Sequence, residues 1–263
     1  MNEELKINPS IAYDVVELPS RGIHYPTKKK SIRVAYLTAA DEDILSAANL
    51  IQSNSTIPEL LKRKILDKDI ELEDLVSEDK EAILIFLRNT AWGTEYKIRA
   101  IDPNPIKDYD YIKDDAGTKG KFETTIDLST IKMKDFTLEE DSNGEYPYFL
   151  EKSGVNITFK FLTQKQEDEL DTMEKTWKEG VPPIKTKRLE MSIQSIEGNK
   201  DPMQIRSFIV DKMPIKDSQD FREYVGQNKP GLDLSQKIIA PSGEEITTTV
   251  GFGVEFFRPF YGL

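Results

Sequence analysis

The chain has 263 residues and a formal net charge of −11, with 38% hydrophobic and 32% charged residues. This composition is typical of a folded chain with one large domain or two ordinary ones. The acidic balance disfavours a nucleic-acid backbone or an anionic membrane surface as partner. Because the chain has no cysteine, it has no disulfide or thiolate metal site, and any histidine-based catalysis would depend on His24 alone.

The sequence also predicts no membrane insertion. No apolar run approaches the ~20 residues that span a bilayer. The first residues, from Met1 to Glu4, are acidic and lack the apolar core of a signal peptide. We therefore expect synthesis and residence in a cytoplasm.

The most informative feature is a segment that occurs twice, at residues 32–45 and 157–170. Six positions match at a constant offset of 125 residues: Ile32/Ile157, Leu37/Leu162, Thr38/Thr163, Glu42/Glu167, Asp43/Asp168 and Leu45/Leu170. In each copy, alternating apolar residues predict a half-buried strand, and a threonine stands where it can cap the next helix. The residue three positions after each threonine is Asp41 or Gln166, so each pair resembles a capping box. The two segments could also look alike simply because many strand–helix units do. Six matches without a gap favour an internal repeat instead.

The first half reads as an extended segment, a loop, three helices and a hairpin. Residues 18–26 are rich in proline and glycine and predict a rigid loop in which Gly22 takes a positive φ. Three helices are predicted next: one over residues 39–52, one that begins at Pro58, and one over residues 78–89. Two strands follow, over residues 95–101 and 122–128. A knuckle, residues 102–105, and an exposed tip separate the two strands.

The second half follows a charged junction at residues 129–146. Its predicted elements are a helix over 164–178, a strand over 189–196, helices opened by Asp201–Pro202 and capped by Ser218, and strands over 231–239 and 246–250. A second proline-containing knuckle, residues 240–243, joins the last two strands. The predicted fold class is α+β. We expect two tandem related domains, residues 1–135 and 136–263, each with a capped helix cluster and antiparallel strands joined by a zinc-ribbon-like knuckle without cysteines.

Catalytic motifs are absent from the sequence. It has no phosphate-binding loop, no GxGxxG fingerprint and no GxSxG elbow. The acidic triplets at 41–43 and 167–169 suit acid–base work, yet acids at helix starts are favoured by the helix dipole anyway. The knuckle residues Asp102 and Asn104 make a poor metal site. We therefore predict no enzymatic activity, no catalytic residue, no cofactor and no metal.

Two further features have both a structural and a functional interpretation. His24 is either a pH-sensitive contact or a loop histidine bonded to backbone. The C-terminal stretch has five aromatic residues between Phe252 and Tyr261. That stretch is either a last core strand or an aromatic anchor buried in a neighbouring subunit.

Together these features resemble the T-even-type bacteriophage baseplate protein family, small proteins of the tail baseplate hub. The resemblance covers nearly the whole chain. Its residues are Leu18, Pro19, Ser20, Arg21, Gly22, Tyr25, Leu37, Thr38, Asp41, Glu42, Asp43, Ile44, Leu45, residues 84–88, Trp92, Gly93, Tyr96, Leu162, Thr163, Glu167 and residues 253–259. The resemblance implies a structural part or assembly factor of a contractile tail's hub, without enzymatic activity. Many relatives carry CPxC-like pairs at the knuckles, which this chain lacks, and Arg258 stands where an aromatic residue is expected.

The predicted function is that of a structural or assembly protein of the virion tail baseplate, present in the host cytoplasm during assembly. Its expected partners are other phage tail and baseplate proteins, with no nucleic acid, membrane or small-molecule substrate. The predicted interface residues are Leu18, Pro19, Arg21, Gly22, His24, Tyr25, Phe252, Phe256, Phe257, Arg258, Phe260 and Tyr261. The main alternative is a chaperone for hub or tape-measure proteins that does not stay in the virion. A carboxylate-using enzyme and a nucleic-acid packaging protein are less favoured alternatives.

Overall fold

A computed structural model describes residues 11–113 and 117–257 of the chain. Helices and antiparallel sheets are mixed along the described residues, so the predicted α+β class is confirmed. The helices are α1 (Ala39–Ser46), α2 (Ala48–Gln52), α3 (Thr56–Lys64), α4 (Ser77–Trp92), α5 (Gln164–Thr176), α6 (Ile184–Ser192), α7 (Pro202–Asp211) and α8 (Ile215–Asn228). The strands are β1 (Tyr13–Glu17), β2 (Ser31–Ala35), β3 (Glu95–Ile101), β4 (Lys121–Asp127), β5 (Tyr146–Leu150), β6 (Val155–Phe159), β7 (Ile193–Ile196), β8 (Ser235–Ile239) and β9 (Glu245–Thr249).

The strands form antiparallel sheets of neighbouring strands. β1–β2, β3–β4 and β8–β9 are two-stranded hairpins, and β5–β6–β7 is a three-stranded sheet. In the first hairpin Val16 lies opposite Ile32, and both side chains are buried. In the three-stranded sheet Tyr146 lies opposite Phe159, again with both buried. Each of these two sheets therefore presents one apolar face to a core.

The two copies of the repeated segment adopt the same local structure. Each has a strand, β2 or β6, as the second strand of a hairpin and then a helix, α1 or α5, that begins at a capping box. At Thr163 the box is reciprocal: the hydroxyl accepts from the Gln166 amide (3.4 Å), and the Gln166 side chain accepts from the Thr163 amide (3.0 Å). At Thr38 the Asp41 carboxylate accepts from the amide (2.7 Å). The predicted strand–cap–helix order is confirmed in both places.

Several predicted elements need correction. The helix expected over 39–52 is two helices, because Ala47 between them has an extended conformation (φ −67°, ψ 108°). The strand expected over 189–196 is the end of α6 followed by β7, since a short apolar run does not distinguish a buried helix from a strand. The helix expected from Ser218 begins at Ile215, directly after Pro214. The strand expected from residue 231 begins at Ser235.

Strand β5 was missing from the sequence-based prediction. It contains Pro147, which lowers the strand signal because proline cannot donate to a ladder. In the structure β5 is an edge strand of its sheet, which is where proline is tolerated.

The buried apolar residues form two cores. The first lies among the β1–β2 hairpin, α3, α4 and β4, and it includes the fully buried Leu18, Ile32, Leu60 and Ile83. The second lies among β5, β6, β7, α6, α7 and α8. The first core also takes side chains from the C-terminal segment: Ile238, Ala240, Val250, Phe256 and Phe257. The last hairpin therefore packs back onto the first core.

Candidate protein interface

The first hairpin loop, residues 18–30 between β1 and β2, holds half of the predicted interface residues. Four of these are buried within the chain: Leu18, Pro19, Gly22 and Tyr25. Arg21 is exposed, with its guanidinium 5.7 Å from the ring centre of Phe136, and His24 is half-buried. A contact between this loop and another protein stays a prediction, and of these six residues only Arg21 and His24 reach the surface.

Asp79, in the first turn of α4, fixes this loop. Its carboxylate accepts hydrogen bonds from the Ser20 amide (2.8 Å), the Ser20 hydroxyl (2.5 Å) and the Tyr25 hydroxyl (2.5 Å). Burial raises the pKa of Asp79 above its ordinary value, and these bonds offset the effect only in part. Burial together with the Asp79 carboxylate also raises the pKa of Tyr25, so the phenol remains a donor. Loop and helix are thus joined by a buried polar network.

Gly22 stands where the loop passes closest to its own backbone. Its φ is +75°, and an added Cβ would lie 2.5 Å from the Lys29 carbonyl oxygen and 2.8 Å from that of Lys28. Both facts require glycine at this position. The predicted positive φ at Gly22 is confirmed.

The second hairpin loop, residues 151–154 between β5 and β6, is held in the same way. Asp217, in the first turn of α8, accepts from the Lys152 amide (2.9 Å), the Ser153 amide (2.8 Å) and the Ser153 hydroxyl (2.5 Å). Burial acts to raise the pKa of Asp217, but these hydrogen bonds outweigh it, so the pKa lies below its ordinary value. An ionised acid is also favoured at a helix N-terminus.

A titratable cluster lies where the two cores approach each other. The His24 ring lies edge-on to Phe161, with 6.4 Å between ring centres, and the Lys229 ammonium lies 2.6 Å from the Glu78 carboxylate. Burial lowers the pKa of His24 to about 4, and the positive charge of Lys229 contributes. Burial raises the pKa of Glu81 to about 7, and the charge of Glu78 contributes. His24 is therefore neutral at neutral pH.

The C-terminal aromatic segment, residues 252–257, packs against the first core. Phe256 and Phe257 are buried, and Phe252 is half-buried. Phe256 lies 5.1 Å from Tyr96 and Phe257 lies 6.1 Å from Trp92, both measured between ring centres. The described part of the segment ends in a 3-10 turn and lies in the first core, so it takes the core position of one of the two interpretations, as a turn and not as a strand.

The remaining predicted interface residues, Arg258, Phe260 and Tyr261, lie outside the described residues. Contact between the aromatic segment and a neighbouring subunit stays a prediction. Within the chain itself, Phe256 and Phe257 serve as core residues.

Arg88 links several residues that carry the family resemblance. Its side chain is 1% exposed and donates to the carbonyl oxygens of Gly93 (2.6 Å) and Glu95 (2.8 Å). The guanidinium also lies 5.2 Å from the ring centre of Tyr96. Burial lowers the pKa of Arg88, and the two carbonyls and the aromatic face together replace an acidic partner. This arrangement positions the turn between α4 and β3.

The two knuckles contact each other across the chain. Asp102 is 1% exposed, and its carboxylate accepts from the Ser242 amide (2.9 Å), the Ser242 hydroxyl (2.7 Å) and the Tyr111 hydroxyl (2.7 Å). Burial acts to raise the pKa of Asp102, but the bonds from Tyr111 and Ser242 lower it further than burial raises it. A single carboxylate thus joins the tip of β3–β4 to the tip of β8–β9.

One acid of each triplet considered for catalysis, Asp41 or Glu167, forms an ion pair. Asp41 pairs with Lys64 and, at 3.3 Å, with Arg63. Glu167 pairs with Arg188 at 2.6 Å. In the described ranges, no group of three or more His, Asp or Glu side chains has the geometry to hold a metal ion. None of the helices in the same ranges combines the length and hydropathy needed to cross a membrane.

The fold and these contacts define an α+β protein whose buried carboxylates hold loops and hairpins in place. The family model described as T4 bacteriophage base plate protein matches residues 19–255, so the chain belongs to that family. The match confirms the resemblance found in the sequence and suggests a structural role in the baseplate of a phage tail. No curated protein and no solved structure matches the chain significantly.

Sequence reasoning missed the acids that organise the site. Asp79 and Asp217 lie in the first turn of a helix, where any acid is expected for electrostatic reasons, so their long-range bonds gave no separate signal. A weak signal was present in the loops, where a glycine with positive φ follows Ser20 after two positions and Ser153 after one. Arg88 was noticed only as part of a family pattern.

Proposed function

We propose that this protein is a structural component of the baseplate hub of a contractile phage tail and acts through contacts with other tail and baseplate proteins. The observation that carries this proposal is the family match, which covers residues 19–255. The net charge of −11 agrees with protein partners, since a nucleic-acid backbone would repel the chain. We propose no enzymatic activity, in keeping with a family of structural proteins.

The surface of the second half supports a protein contact. Met203 and Val210 on α7 are 80% and 58% exposed, and Ile215 at the start of α8 is 78% exposed. Met203 and Val210 are seven residues apart, so they lie on the same face of α7. Apolar side chains on one helix face lose unfavourable water contact when a partner covers them.

Mass spectrometry of purified virions tests the proposal. We expect peptides of this chain at a fixed ratio to other baseplate proteins. Detection in infected cells but not in purified particles would favour the alternative, an assembly chaperone for hub or tape-measure proteins. Detection in neither tail intermediates nor particles would contradict both.

We also infer that the two halves descend from one duplicated unit. Four features occur twice in the same order: a hairpin, a loop serine bound by a first-turn aspartate, a capping box and a helix. The boundary near residue 135 is our proposal for the division in sequence, and the last hairpin then returns to the first core. An experimental structure tests this, because residues 13–46 should superpose on 146–171 with the same strand order.

The contact between the knuckles supports their description as zinc-ribbon-like. In such a ribbon two hairpin tips face each other across a bound metal. Here the tips face each other across the Asp102 carboxylate and the backbone and hydroxyl of Ser242. We propose that these hydrogen bonds hold the two tips together, as the metal does in a zinc ribbon.

A further inference from the structure

The second core is open to solvent at a cavity of about 370 Å³ between α5, α6 and α8. Its floor is apolar, and the residues of that floor are Phe161, Leu162, Leu189, Phe221 and Val225. Four of these five side chains are buried, and Val225 is half-buried. The volume is at the low end for pockets that bind small ligands, roughly 300 to 1,000 Å³. It therefore suits one or two apolar side chains.

Gly226 lies at the edge of this cavity. It lies within α8 at the cavity wall, and a Cβ built on it meets no atom within 4 Å. Glycine inside a helix costs about 1 kcal/mol relative to alanine, so helix stability does not favour it here. A Cβ at this position would therefore meet no steric obstacle within the described part of the chain. The glycine therefore leaves room that the fold itself does not use.

The rim of the cavity is positively charged, although the chain is acidic. Three cations line it, Arg188, Arg222 and Lys229, against one acid, Glu167. Arg188 pairs with Glu167 at 2.6 Å, and Lys229 pairs with Glu78 at 2.6 Å.

Arg222 differs from the other two cations. Its Nε donates to the Ser218 carbonyl oxygen (3.0 Å), and no carboxylate pairs with it in the described part of the chain. Its terminal nitrogens are therefore the donors that suit an incoming carboxylate in a forked pair.

We propose that this cavity binds a peptide segment of another tail protein that carries an aromatic or branched apolar side chain next to an acidic residue. The apolar side chain enters beside Gly226, and the carboxylate binds Arg222. This inference rests on the proposed function, because it assigns a partner chemistry to a protein that acts by protein contacts. Charge complementarity selects the acidic neighbour, since the cavity rim carries more basic than acidic side chains in a chain whose net charge is −11.

The probe comes from a display library of random heptapeptides, which is selected for binding to the full chain. We expect enriched peptides to place Phe, Leu or Ile beside Asp or Glu. Affinity of a synthetic enriched peptide is then measured for the Gly226→Leu and Arg222→Gln variants. Gly226→Leu fills the cavity and should abolish binding, and Arg222→Gln should weaken it about tenfold.

The controls keep the test specific. Gln227→Leu places the same side chain at an exposed neighbouring position of α8, and Arg206→Gln removes an arginine that is 71% exposed on α7. Both should bind the peptide as the unmodified chain does, and thermal melting should show all four variants folded. If Gly226→Leu melts at a lower temperature, the Gly226→Met variant, whose side chain has a similar volume but is more flexible, replaces it.

Three outcomes would overturn the inference: no enrichment, enriched peptides without acids, or binding that Gly226→Leu leaves unchanged. Self-association of the chain that Gly226→Leu abolishes would also overturn it, because the occupant would then be a second copy. Virion analysis separates this failure from that of the proposed function. If Gly226→Leu is incorporated into virions at the normal level, the cavity inference fails and the structural role stands.

Discussion

At the scale of single residues, two aspartates with similar roles differ in their electrostatics. Asp79 and Asp217 each accept three hydrogen bonds in the first turn of a helix, and each binds both the amide and the hydroxyl of a loop serine. The pKa of Asp79 is raised, because its burial outweighs its bonds, whereas the pKa of Asp217 is lowered. The same local chemistry thus gives opposite pKa shifts in the two cores.

Replacing Asp79 with alanine should lower stability strongly. The change leaves the Ser20 amide, the Ser20 hydroxyl and the Tyr25 hydroxyl without their acceptor, and the expected loss is about 3 kcal/mol. Urea unfolding at neutral pH measures it. Asp43→Ala, at an exposed position of α1, is the matched control and should change stability by less than about 0.5 kcal/mol. Equal effects of the two variants would contradict the role of Asp79.

His24 and Glu81 give the folded state two opposing pH dependences. The pKa of His24 is lowered from 6.5 to about 4, so the unfolded state binds the extra proton and stability falls as pH drops through that window. The pKa of Glu81 is raised from 4.5 to about 7, so the folded state holds the extra proton and stability falls as pH rises through that window. Between about pH 4.5 and 6.5 the two effects offset each other.

Single variants should separate these two effects. Relative to the unmodified chain, His24→Gln should gain stability as the pH is lowered from about 6.5 to 4, because the cost of keeping the imidazole neutral is gone. Glu81→Gln should gain stability as the pH is raised from about 4.5 to 7, because no half-buried carboxylate has to ionise. Urea midpoints across this pH range provide the measurement. Parallel pH profiles for all three chains would refute the assignment.

At the scale of elements, hairpin tips and helix ends are joined by single side chains. Asp102 links the tips of β3–β4 and β8–β9, and Arg88 links the end of α4 to the start of β3. Two-stranded hairpins are marginal alone, so such links add to the core contacts that hold each hairpin in place.

Removal of the Asp102 carboxylate should release the second knuckle. In Asp102→Ala the Ser242 amide loses its acceptor, so its hydrogen exchange should become faster while amides in the β5–β6–β7 sheet are unchanged. Asp108→Ala, at an exposed position of the same hairpin tip, serves as the control and should leave Ser242 protected. Unchanged protection of Ser242 in Asp102→Ala would show that the knuckles are held by other contacts.

The aromatic segment should be important for the stability of the first core. Phe256 is fully buried against Tyr96 and Phe252, so Phe256→Ala should cost about 4 kcal/mol. Phe149 is 50% exposed on β5, and Phe149→Ala is the control, with an expected loss below about 1 kcal/mol. Thermal unfolding compares the two. If both variants melt at the same temperature, Phe256 is not part of the core.

At the scale of the whole molecule, the chain crosses between its two cores more than once. Ile23, from the first hairpin loop, packs on the second core, and the last hairpin packs on the first. Met133 and Leu232 form a bridge between the junction and the approach to β8. These crossings make the relative position of the halves a property of the complete chain.

The sequence by itself determined the two strand–cap–helix units and the loop glycine, because their causes are local. Alternating apolar residues, a capping threonine with its partner three positions later, and a glycine forced to positive φ depend on neighbouring residues, and all three were predicted where they occur. The family followed from the sequence too, since its pattern is a matter of order and spacing.

Only the tertiary structure decided which distant residues meet. Asp79 with Ser20 and Asp102 with Ser242 are separated by 59 and 140 positions, and no periodicity links such pairs. The burial of Leu18, Tyr25 and Phe256, which in sequence suited an interface equally well, was decided in the same way. The sequence pattern around an apolar residue is the same whether the residue is buried in the core of its own chain or against a partner. The hydrophobic effect is non-directional, so either surface satisfies it.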